Sequence, residues 1–223
     1  MERMLLGMFE HGAAMPPARR WRQRQRDIRS AGPVRCQYRV ACSAIMNKQQ
    51  FWQLIAAARN QALDPNESET VAREATSLLA TRPAEEIVAA QQVLWDLMAD
   101  SYTNPLWAAA YVINGGCSDD GFDYFRGWLI AQGCEVFERI VAEPDALAQL
   151  PIVQASAADG LDLDGEEVLS IAWNAHNMAT GEQLPADAFT IRYPELDPAW
   201  DFDFDDRGEM TRRLPRLAAL HME

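Results

Sequence analysis

The residues best equipped for chemistry crowd into one stretch, Asn114-Gly115-Gly116-Cys117-Ser118-Asp119-Asp120-Gly121-Phe122-Asp123-Tyr124. Cys117 lies just before a helix start, where the positive end of the dipole stabilises a thiolate, while Asp119 and Asp120 push its acidity the other way. A nucleophilic thiol also needs a base. His176 is the candidate, because His11 and His221 lie near the chain ends. Asp119 and Asp123 share a helical face, as do Asp120 and Asp123, so the three carboxylates can meet a hard divalent cation or a cationic partner. The plainer reading is that first-turn carboxylates satisfy orphan N–H groups and the dipole, and that Cys117 is a small residue in a tight interhelical turn. The candidate cluster is therefore Asn114, Cys117, Ser118, Asp119, Asp120, Asp123, Tyr124 and His176, with no metal-ligand set and no cofactor assigned. Sequence alone leaves open whether it is catalytic, and whether Cys117 and His176 approach each other.

A second acidic run is Asp201-Phe202-Asp203-Phe204-Asp205-Asp206. Its carboxylates match positions one, three and five of a calcium loop, but Asp206 stands where glycine is required and Arg212 where the closing glutamate belongs. The simpler expectation is an extended segment with Phe202 and Phe204 inward and the aspartates outward. Neither a phosphate-binding loop, a dinucleotide fingerprint, a nucleophile elbow nor an H-E-x-x-H zinc motif is present. The four cysteines, Cys36, Cys42, Cys117 and Cys134, include no C-x-x-C pair, so no zinc site is visible and free thiols in a reducing, cytoplasmic setting are expected.

The elements that must position these groups read as helices. Phe51, Trp52, Leu54, Ile55, Ala58 and Leu63 line one side of a first helix, which Asp64-Pro65 stops. A second runs from about Ser68 to Ala80. Pro83 opens a third, striped by Ile87, Val88, Gln91, Leu94, Trp95 and Met98. Asn104 is read as the N-cap of a fourth with Pro105 at its first position. This helix is apolar on every side, hence a buried centre too short to cross a bilayer. Gly115-Gly116 ends it, and Ser118 caps a helix running to about Gln132, with Phe122, Phe125 and Leu129 inward. Shorter helices follow at about Glu135–Ala142 and Asp145–Leu150. A long one spans Gly165–Thr180, with Val168, Ile171, Ala172, Ala175 and Met178 inward. Phe189–Tyr193 reads as one short strand or an extended tail, and a helical turn near Glu209–Leu220 is interrupted by Pro215. The tryptophans Trp52, Trp95, Trp107, Trp128 and Trp173 fall on helical faces and are expected in the core. The fold class is mainly α: a compact multi-helix array with a short extended or single-strand C-terminal segment.

Length and charge bound the rest. The chain has 223 residues, enough for one domain with a sizeable core, and a net charge of −13. The mean hides an asymmetry. Residues 1–45 hold nine Arg against Glu2, Glu10 and Asp27, a balance of +6, which leaves −19 on residues 46–223. The basic stretch Arg19–Arg26 has no sustained period and no apolar run after it, so it fails as an export signal. We read residues 1–45 as a disordered or mis-annotated extension, with amphipathic structure, and the true start, at Met46.

From Trp107 to Ile130 the sequence WAAAYVINGGCSDDGFDYFRGWLI resembles the signature of the bacterial domain-of-unknown-function family 4240. The opening FWQLI at residues 51–55 and the closing WDFDFDD at 200–206, with LPRL at 214–217, are similar too. One departure is Cys134, where the family pattern expects Arg, so a family-wide pairing of Cys117 with Cys134 is not implied. The resemblance implies a bacterial, cytoplasmic, stand-alone protein and no activity. The charge of residues 46–223 argues against nucleic acid and anionic membranes as partners. The expectation is an acidic helical binding or regulatory module for a basic partner protein. The alternative is an enzyme, or a metal- or small-ligand-binding protein, with its site at the Gly115–Tyr124 turn.

Overall fold

The computed structural model describes residues 45–222, and the readings of a basic extension and an internal start fall outside or at the edge of this region. Helix α1, Lys48–Gln61, opens with a reciprocal cap between Asn47 and Gln50. Helix α2, Ser68–Leu79, follows and packs on α1. Helix α1 buries the stripe expected of it, except that Leu63 lies beyond its end and is 92% exposed, and α2 buries Val71, Ala72, Ala75 and Leu79. Helix α3, Ala84–Asp100, starts after Pro83 with Glu85 and Glu86 in its first turn, where carboxylates favour the positive helix end.

Helix α4, Asn104–Ile113, is the apolar centre anticipated, with Leu106, Ala108, Ala109, Ala110, Val112 and Ile113 buried. Its cap is Thr103 rather than Asn104: the Thr103 hydroxyl accepts from the Leu106 N–H, and Asn104 is already helical. Among the α4 residues that are not fully buried, Asn104, Trp107 and Tyr111 fall on one stripe, at spacings of three and four. Gly115 and Gly116, at φ of +63° and +137°, turn the chain where a side chain would be strained.

Helix α5, Asp119–Ala131, begins at the expected cap, the Ser118 hydroxyl accepting from Gly121 N–H at 3.1 Å. It buries Phe122, Phe125, Trp128 and Leu129, each contributing about 1.5–3 kcal/mol by area. Helix α6, Cys134–Ala142, leads to a 3₁₀ helix, Pro144–Gln149. Helix α7, Pro151–Asp159, comes next and was not anticipated. The expected helix over Gly165–Thr180 is two: α8, Glu166–Leu169, and α9, Ile171–Thr180. The break is at Ser170, whose N–H bonds back three residues to Glu167 O and tightens the turn. Met178, placed on the buried face by its spacing, is 63% exposed near the end of α9.

Phe189–Tyr193 is extended backbone, and no strand occurs among the described residues. Side chains hold it in place of a partner strand. Gln92 on α3 accepts from Thr190 N–H at 2.8 Å and donates to Thr190 O at 3.2 Å, and Arg192 meets Asp96 at 2.8 Å. A short 3₁₀ turn, Pro198–Trp200, precedes α10, Arg207–Arg213, and α11, Pro215–His221, which Pro215 separates as expected. Helix α11 is capped from far away: the buried carboxylate of Asp145 accepts from the N–H groups of Arg216 and Leu217 at 3.0–3.2 Å and from Arg216 Nε at 2.9 Å. No described helix is long and apolar enough to cross a membrane.

Candidate binding site

The predicted cluster separates into groups with different tasks. The Asn114 amide clamps the loop before α8, donating to Leu163 O at 3.2 Å and accepting from Leu163 N–H at 3.0 Å. Ser118 is spent on its cap. Tyr124 is half-buried, and burial together with the nearby Glu166 carboxylate raises its phenol's pKa. Asp119 is exposed at the first turn of α5 beside half-buried Asp120. His176 is buried on α9, with Nδ1 3.1 Å from Glu182 O and 3.3 Å from the Thr180 hydroxyl. Its hydrogen bonds stay within α9 and the loop after it, and none reaches Cys117.

Asp123 and Arg126 form a buried ion pair on α5. Arg126 also donates to Met98 O and Phe122 O, and its guanidinium lies 4.5 Å from the Phe122 ring centroid and 5.0 Å from that of Tyr102. Burial pushes the Asp123 carboxyl's pKa up against the pull of Arg126. Tyr193, from the extended segment, packs edge-on to Tyr102 at 5.3 Å, and burial suppresses the acidity of its phenol. Cys117 sits beside this pair, and burial pushes its thiol up to about 12. Desolvation therefore outweighs the pull of Arg126, and the thiol stays protonated at neutral pH. Cys117 and Cys134 are both free thiols. Among the described residues no three His, Cys, Asp or Glu side chains are placed to hold a metal ion.

Beside the turn lies a feature that spacing did not reveal. The indole N–H of Trp107 donates to Cys117 O at 3.0 Å, and its ring stacks on Phe122 at 4.8 Å. With Asn104, the same tryptophan forms one wall of a concavity of about 380 Å³. The other wall is the closing segment, through Leu196, Asp197, Trp200, Asp201, Phe202 and Phe204. Trp107 is thus a half-buried wall residue and not the core residue its helical position suggested. As expected, Phe202 and Phe204 are less exposed than the aspartates that alternate with them. Their rings form a chain, Trp200 to Phe202 at 5.9 Å and Phe202 to Phe204 at 5.5 Å, which Phe204 continues to Tyr111 at 5.7 Å. Tyr111 fastens the segment by donating to Asp205 at 2.8 Å, a bond that raises the phenol's pKa.

The carboxylates at this wall differ in how far they are engaged. Asp197 accepts from Ala199 N–H with one oxygen, whereas Asp201 is exposed and its carboxylate makes no hydrogen bond or ion pair with a described residue. Chemically the concavity offers aromatic faces, negative charge and hydrogen-bond acceptors, a combination suited to holding a cation.

A family model described as "Protein of unknown function (DUF4240)" matches residues 46–178. The match ends short of the closing segment, to which the resemblance read in the sequence extended. No curated protein and no solved structure matches the chain.

Proposed function

The chain belongs to the DUF4240 family, and because that family's description assigns no activity, we propose from the geometry that it is a binding module for a basic partner protein. The contact surface is the acidic, aromatic-lined concavity between α4 and the closing segment. The observation that carries this reading is the placement of Asp197 and Asp201 beside Trp107, Trp200 and Phe202 around one concavity. The charge of −19 on residues 46–223 supports it, since a field of one sign steers an oppositely charged partner and raises its on-rate.

Catalysis at the Gly115–Tyr124 turn has less support. A thiol pushed up to about 12 supplies little thiolate near neutrality, His176 is tied to its own loop, and Asn114 and Ser118 are engaged in holding backbone. The turn serves instead to hold Trp107 in place through the Cys117 carbonyl.

The test is a calorimetric titration of the full chain with a flexible basic peptide and, in parallel, an acidic peptide of the same length, at rising salt. Saturable binding of the basic peptide alone, weakening as salt rises and in the double variant D197N/D201N, is expected. Binding of neither peptide at low salt, or equal binding by the double variant, overturns the proposal.

A further inference from the structure

We propose that the concavity is a guanidinium site, taking the side chain of an arginine of the partner in preference to a lysine. This rests on the binding reading above and specifies its ligand. Two observations on different residues point to a planar, donor-rich cation.

First, the same aromatic pair already carries a guanidinium. Arg213 of α10 lies 4.5 Å from the Trp200 ring centroid and 4.9 Å from that of Phe202. It is held there by Glu209 at 3.0 Å and by donation to Ala199 O at 2.7 Å. Trp200 and Phe202 also line the concavity, so aromatic residues of the kind that Arg213 engages border it. A flat delocalised cation stacks on such a surface, whereas a compact, strongly hydrated ammonium surrenders more solvation for less contact.

Second, the carboxylate of Asp201 is exposed without a hydrogen bond or ion pair to a described residue, and Asp197 spends one oxygen on Ala199 N–H. Carboxylates with open oxygens match the fork of a guanidinium, which donates two parallel hydrogen bonds. A guanidinium spreads five N–H groups over a flat fork, where an ammonium has three clustered at one point.

The experiment titrates the full chain, by calorimetry and tryptophan fluorescence, with two capped Gly/Ser peptides of equal charge, one carrying arginines and the other lysines at the same positions. The arginine peptide is expected to bind about tenfold more tightly, the scale of a partly desolvated cation–π contact. D201N, a substitution at an exposed side chain, and W200L are each expected to bring the two peptides to within about twofold, with thermal unfolding confirming that both variants fold. Equal affinity of the wild type for both peptides overturns the guanidinium site and leaves the broader binding reading standing. An arginine preference that survives intact in both folded variants also overturns it, because the preference then arises elsewhere on the acidic surface. Failure of both peptides to bind overturns both proposals.

Discussion

Gly127 in the middle of α5 and Gly165 at the start of α8 bring their backbones into direct contact. A Cβ built on Gly127 would lie 2.4 Å from Gly165 O, and one built on Gly165 would lie 2.3 Å from Trp128 N. Both distances are well inside van der Waals contact, and the obstacle in each case is backbone. The crossing lies close in sequence to Leu163, which the Asn114 amide clamps.

Gly127→Ala is therefore expected to destabilise the protein although alanine favours a helix interior by about 1 kcal/mol. Overpacking against backbone costs about 1–3 kcal/mol, and the net change should be a loss. Urea unfolding of Gly127→Ala and Gly165→Ala reads it directly. A gain in stability for Gly127→Ala would show that the two segments separate at no cost.

The Asp123–Arg126 pair should behave as one unit. Removing either partner leaves an uncompensated charge among Tyr102, Phe122 and Met98, and Asp123→Leu or Arg126→Met alone should each cost about 3–5 kcal/mol. The double variant should cost much less than the sum, because no charge is left buried. Denaturant midpoints for the four proteins measure the coupling, and additive losses would mean the two groups do not depend on each other.

Cys117 gives a pH dependence of definite sign. Its thiol is pushed from an ordinary value of 9.0 to about 12 by burial, so the fold binds that proton more tightly than the unfolded chain does. The contribution to stability is complete below pH 9 and is lost as pH rises toward about 12. Cys117→Ser should show a shallower alkaline decline, because the raised tyrosine phenols keep theirs. Site-resolved alkylation should find Cys117 slow at pH 8 and still accelerating beyond the pH at which an unburied thiol levels off. A plateau at the ordinary thiol value would contradict the burial argument.

Much of this architecture is written locally. Ser118 as a cap, Gly115-Gly116 as a stop, Pro83 as a start and Pro215 as an interruption all act through groups one to four residues away, which is the range that spacing reports. Where two neighbouring residues are both good caps, as at Thr103 and Asn104, periodicity cannot choose between them, and the hydroxyl of Thr103 takes the bond. Leu63 and Met178 fit the period of their helices but sit at or past the ends, where no neighbouring element remains to cover them. The break at Ser170 is a change of one hydrogen-bond partner and leaves no compositional mark.

The turn from Asn114 to Tyr124 stood out because its polar side chains are consecutive. The concavity did not, since it joins Asn104 and Trp107 to residues 196–204, and nothing in their types announces that they meet. A helical tryptophan reads as core until the segment lying across it is known. The Asp-Phe alternation was recognisable as an inward and outward pattern, but what lay on its inward side was not.

The capping of α11 by Asp145 bears on the order in which the chain is assembled. During synthesis the carboxylate emerges 71 residues ahead of the Arg216 amide it will hold. Until then the final helix, only seven residues long, lacks both the length to form alone and a side chain of its own at its start. The final helix therefore depends on a contact that spans 71 residues of sequence, and it is stable only as part of the tertiary fold.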